Sequence, residues 1–204
     1  MTRPARSLRS ASALDGRVRR GERNREAIVD ALFELVREGE LQPTAEQVAE
    51  RAGVGTRTVF RHFDDMESLH AELSARLERE ILPLYETGPR DGDLDPRLRE
   101  LVGRRALIYE RITPFKRSGN LQRWRSPFLS QAHADMVRRL RSDLLETLPE
   151  LRDAPPALLE ALDLVTSFEA WDRLRAEQRL GRERAEAAML RATLALARSI
   201  GEAS

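Results

Sequence analysis

The sequence predicts an all-α protein of nine or so helices, with a helix-turn-helix near its N-terminus and a larger helical region after it. Three observations carry the all-α reading. Ala, Leu, Arg and Glu dominate while aromatic residues make up only 5% of the chain, a mixture that favours helix over strand. Apolar residues recur at steps of three and four, and no convincing run alternates. Finally, Ala49, Gly53 and Val59 have the small–Gly–apolar spacing of two short helices crossing at a tight turn.

The elements follow in order. Residues 1 to about 20 carry Ser, Arg and Pro without periodicity and read as a flexible basic arm. From Arg23, the residues Ile28, Ala31, Leu32, Leu35 and Val36 form one apolar stripe, stopped at Gly39. Thr44 and Gln47 have capping-box spacing for a second helix, which Gly53 ends. A third helix spans about Thr56 to His62. Asp64, with Glu67 three residues on, is the expected cap of a fourth, striped by Met66, Leu69, Leu73, Leu77, Ile81 and Leu84.

The segment from Thr87 to Pro96, rich in Gly, Pro and Asp, is the clearest break. Asp95 and Pro96 should open a fifth helix that ends near Thr113-Pro114, followed by a short, basic, broken helix over Phe115–Arg125. Pro127 starts the next. Two long helices, about Ala157–Gln178 and Arg182–Ile200, then join at Gly181 as an antiparallel hairpin.

Composition excludes several classes. At 204 residues the chain can bury a real core. It has no cysteine, which rules out disulfides and thiolate metal sites. No apolar run approaches the roughly 18 residues of a membrane span, and no apolar segment follows the N-terminal arginines as in a secretory signal. Cytoplasmic localisation is therefore expected. Net charge is +1, but residues 1–25 alone carry +6, from eight arginines against Asp15 and Glu22. A basic end on a mildly acidic body suits an anionic partner, or stands as a solvated tail. His62, His70 and His133 are too scattered to suggest a metal site, and no cofactor motif occurs.

The corner at residues 49–59 leaves one face of the third helix outward, bearing Thr56, Arg57, Thr58 and Arg61. Short polar and basic side chains on a protruding helix suit the major groove, where base edges display donors and acceptors. Thr44, at a helix N-terminus, suits a phosphate. Gly53-Val54-Gly55 is not a nucleotide loop: the third glycine is missing and no strand precedes it.

Here the stretches "IVDALFELVREG" and "TAEQVAERAGVGTRTVFRHFDDMESL" resemble the N-terminal DNA-binding domain of TetR-type (tetracycline-repressor-like) bacterial transcriptional regulators, closely over Ile28 to Leu69. The resemblance implies an all-helical homodimer that binds a palindromic DNA operator and is not an enzyme. It implies a DNA-binding domain over residues 21–67, beyond the arm at 1–20, and an effector-binding and dimerisation domain over 68–204. The DNA contacts would come from Thr44, Gly55, Thr56, Arg57, Thr58, Phe60, Arg61 and His62. Three positions depart from the family pattern. Gly55 stands where serine is usual, Phe60 where tyrosine is, and Met66 where lysine is; each loses a phosphate contact, which the basic arm is expected to replace.

In the larger domain Tyr109, Phe115, Trp124, Phe128, His133, Met136, Phe168 and Trp171 are candidates to line a pocket for a small apolar effector; the alternative is that they are core. Leu162, Val165, Met189, Thr193, Leu196 and Ile200 are candidates for a two-fold four-helix interface, the alternative being internal packing in a monomer. Two rival functions remain: an architectural protein that binds DNA through charge alone, and a small helical hydrolase, which no nucleophile or metal motif supports.

Overall fold

The computed structural model describes residues 6–85 and 88–198, with side chains from residue 18 onward. Its described residues form nine α-helices and no strand: α1 (Arg6–Arg37), α2 (Ala45–Arg51), α3 (Thr56–His62), α4 (Met66–Tyr85), α5 (Leu94–Gln122), α6 (Pro127–Thr147), α7 (Pro156–Val165), α8 (Phe168–Asp172) and α9 (Arg182–Ala197). A 3-10 turn, Pro149–Arg152, follows α6, and a π turn, Arg173–Glu177, follows α8.

Helices α1 to α3 and the start of α4 enclose an apolar cluster of Ile28, Leu32, Val36, Val48, Ala49, Val59, Phe63 and Leu69. The turns within it are fixed by short-range bonds. Thr44 Oγ1 accepts from the Gln47 amide at 3.2 Å, and Gln47 Oε1 accepts from the Thr44 amide at 2.8 Å, completing the capping box. At the other end of α2 the Val54 amide donates to the Ala49 carbonyl and the Gly53 amide to that of Glu50. This Schellman closure needs Gly53 at φ +66°, the left-handed region.

The larger domain has two cores. One gathers Ile81, Val102, Ile108, Tyr109, Ile112, Phe168 and Trp171, the other Leu98, Leu101, Leu144, Leu148 and Leu162. Buried guanidinium groups tie them together. Arg105 is fully buried; it donates to the Leu140 carbonyl and to Thr166 at its carbonyl (3.1 Å) and Oγ1 (2.6 Å). Arg104 and Asp143, both buried, pair at 2.7 Å.

Five expectations are corrected. The first helix starts at Arg6 rather than near Arg23. Residues 6–20 are free of proline and rich in Arg, Leu and Ala, so their propensity extends the amphipathic helix behind them. The cap of α4 is Asp65, not Asp64: its carboxylate accepts from the Ser68 amide at 2.7 Å. Helix α5 begins two residues early, with Asp93 as its N-cap, so Pro96 falls in the first turn, where a missing N–H costs no helical bond. Helix α5 also runs through Pro114 to Gln122 without a break. Packing of Ile112 and Phe115 on either side holds it together. The helix expected over 157–178 is broken at Thr166-Ser167. Thr166 turns its hydroxyl back to the Leu162 carbonyl, and Ser167 caps α8 through the Ala170 amide. The carbonyl freed at Thr166 accepts from Arg105 and from the Tyr109 hydroxyl, so the break is fully satisfied.

Candidate nucleic-acid interface and internal cavity

The outward face of α3 follows from its inward one. Val59 is buried at 1% exposure, so Arg57, Phe60 and Arg61, on the far side of the helix, face solvent. Thr56 and Thr58 are half-buried beside them, and Thr44 and Gly55 are exposed at the start of α2 and at the cap of α3. Phe60 is an apolar ring 49% exposed in the middle of this polar face.

A clamp at its C-terminal end sets the angle of α3. Arg25 of α1 donates to the His62 carbonyl at 3.1 Å, pairs with Glu72 of α4 at 2.5 Å, and lies 4.5 Å from the centre of the Phe63 ring. One guanidinium thus joins three helices. Sequence reasoning placed Arg25 in the basic segment and missed this role; only the fold brings positions 25, 62 and 72 together. His62, expected at phosphate, is turned inward. Its Nε2 is buried with no partner, and a Cβ on Gly21 of α1 would lie 3.9 Å from its Cε1. Burial, Arg61 and Arg25 all hold its pKa below the usual imidazole value.

A cavity of about 720 Å³ lies among α4, α5 and α6, a size suited to a small organic ligand. Leu77, Ile81, Tyr85, Ile112, Phe115, Phe128 and Met136 supply apolar wall; Lys116 and His133 stand within hydrogen-bond distance of each other. The aromatic set predicted for a pocket therefore divides. Phe115, Phe128, His133 and Met136 line the cavity. Tyr109, Phe168 and Trp171 do not: they are buried as core, where Tyr109 meets the Phe168 ring edge-on at 5.7 Å and the Trp171 ring at a tilt, 6.3 Å away. Trp124 is outside it as well, 80% exposed. Phe115 serves two regions, since it lines the cavity and also packs into the α1–α4 core, 4.7 Å from the Phe33 ring.

Of the residues expected at a two-fold interface, Leu162, Met189 and Thr193 are spent within the subunit, buried in its own cores. Val165 and Leu196 are half-buried, and Ile200 lies outside the described residues. The outer face of α7 instead presents Leu164, at 67% exposure. Among the described residues no three His, Asp or Glu side chains gather as metal ligands, and no helix is long and apolar enough to cross a membrane.

Residues 28–73 match the model of the bacterial regulatory proteins of the tetR family. The fold is similar to that of a tetR-family transcriptional regulator from Streptomyces coelicolor, with a TM-score of 0.69 at 20% identity over 90% of this chain and 84% of that one. It is also similar to a transcriptional regulator from Rhodococcus sp. Rha1, with a TM-score of 0.64 at 20% identity, covering 88% and 96%. No curated protein shows a matching sequence.

Proposed function

We propose that this chain, which carries the DNA-binding domain of the TetR-family transcriptional regulators, is a ligand-responsive repressor that binds a palindromic operator as a dimer. The observation that carries the reading is the exposed face of α3, where Arg57 and Arg61 project from a helix held by both the α2 turn and the Arg25 clamp. Arginine in the major groove can bond guanine O6 and N7 together, and threonine methyls meet thymine. Phe60 offers apolar contact. The basic segment of residues 1–20 adds phosphate contacts where Gly55 and Phe60 lack hydroxyls. Two copies of α3 would read half-sites about one helical turn, roughly 34 Å, or a multiple apart. The outer face of α7 and α9, with Leu164, Val165 and Leu196, would join the subunits.

The response is a shift between two conformations. The cavity among α4, α5 and α6 would hold the effector. Phe115 stands between it and Phe33 of α1, and Arg25 ties α1 and α4 to the end of α3. Ligand that repacks Phe115 would change the tilt of both reading helices, and the loss of operator affinity would equal its differential affinity for the two states. Footprinting on a selected operator tests the DNA reading. Arg57→Ala should relax sequence preference at one base position per half-site; unchanged selectivity would leave an architectural, charge-driven binder.

A further inference from the structure

The α4–α6 cavity holds the only lysine of the chain, and among the described residues that lysine pairs with no carboxylate. Of the charged residues on its wall, Glu78 pairs with Arg139 and Asp135 with Arg138. Lys116 and Arg123 line the same cavity, and neither forms an ion pair among the described residues. Lys116 Nζ donates to His133 Nδ1 at 2.8 Å and lies 5.6 Å from the centre of the Phe168 ring. An ammonium has donors only, so His133 accepts and is neutral. Burial pushes the Lys116 pKa down to about 8, partly offset by the exposed Glu169 of α8, with Arg123 adding to the depression. Burial, Lys116 and Arg123 likewise keep the His133 pKa low, which favours the neutral imidazole, and an imidazole can in no state supply a negative charge. A cation in an apolar cavity with one neutral partner and an aromatic face is incompletely compensated.

We propose that the ligand of this cavity is a monoanionic amphiphile, its carboxylate held by Lys116 with Arg123 nearby, its apolar body lying against Leu77, Ile81, Phe115 and Phe128. The inference rests on reading the cavity as an effector site, and it replaces a purely apolar ligand with one that brings the missing charge.

The single lysine makes the test direct. Full-length protein labelled at lysine Cε gives one side-chain carbon signal, whose pH titration reports Lys116 alone. Decanoate should raise the midpoint of that titration by about 1–3 pH units, and 1-decanol should not. Calorimetry should find decanoate bound roughly tenfold more tightly than 1-decanol at pH 7. Lys116→Met should abolish that preference and keep 1-decanol binding. If the two ligands bind equally, or the midpoint stays put with decanoate bound, the anion assignment is overturned and the effector cavity stands. If neither binds, both fall. Operator affinity measured with no ligand present reports the DNA reading independently.

Discussion

The α1–α4 unit and the larger domain bury opposite kinds of groups. In the first, Ile28, Leu32, Val48, Val59 and Leu69 make a dry core, and its arginines lie on or near the surface. In the second, Arg97, Arg104, Arg105 and Asp143 are buried, bonded to carbonyls and carboxylates across long sequence separations. The difference decides where a charge change is felt. On the α1–α4 unit, in the function proposed above, it would alter what is bound. In the larger domain it alters whether the fold holds, because a buried ion that loses its partner has no water to fall back on.

Substitutions that cross this divide sharpen it. Asp143→Ala should cost most, about 3–5 kcal/mol, since it removes the buried carboxylate that Arg104 and Arg105 share; denaturant midpoints would show it, and a loss under 1 kcal/mol would mean the network is dispensable. Arg57→Ala, by contrast, should leave the melting temperature unchanged while reducing discrimination at one base pair by about 1–3 kcal/mol, read from competition binding.

Lys116→Met should go the other way and stabilise the ligand-free protein at pH 7 by about 2 kcal/mol. The folded pKa, near 8, is below the unfolded value of 10.5, so the cation is penalised by folding. The penalty is full below about pH 8 and is relieved as pH rises toward 10.5, so the gap in stability between the variant and the parent should close over that window. A gap independent of pH would point to packing instead. The smallest effect belongs to Thr44→Ala, about 1 kcal/mol from the lost cap of α2, measurable by thermal melts.

How much of this was legible in the sequence follows from the range of the interactions. The capping box at Thr44, the glycine turn at 53 and the inward Val59 are separated by a few residues, and their spacing is their signature. Phe115, Phe128, His133 and Met136 line the cavity, yet Tyr109, Phe168 and Trp171, drawn from the same aromatic-rich region of the sequence, form core. Chain distance hid the rest. The break at Thr166 is stabilised by Arg105 and Tyr109, 61 and 57 residues away. The pairing of Lys116 with His133 joins α5 to α6, and nothing local distinguishes that lysine from any solvated one. The inward turn of His62 likewise depends on α1, whose course past residue 21 the local pattern did not reveal.

The position of Phe115 has a practical consequence for anyone building hybrid regulators. The family match ends at residue 73, and a cut there, or at 67, looks like a clean joint between the proposed reader and the proposed sensor. It is not one. The aromatic plug that closes the reader's interior is encoded some forty residues downstream, in the last third of α5. A reader grafted onto a foreign sensor would arrive with a hole opposite Phe33 unless the recipient supplies a ring of similar size at the matching height. Compatibility of such chimeras should therefore be judged by what the new partner places against Phe33, before any question of linker length.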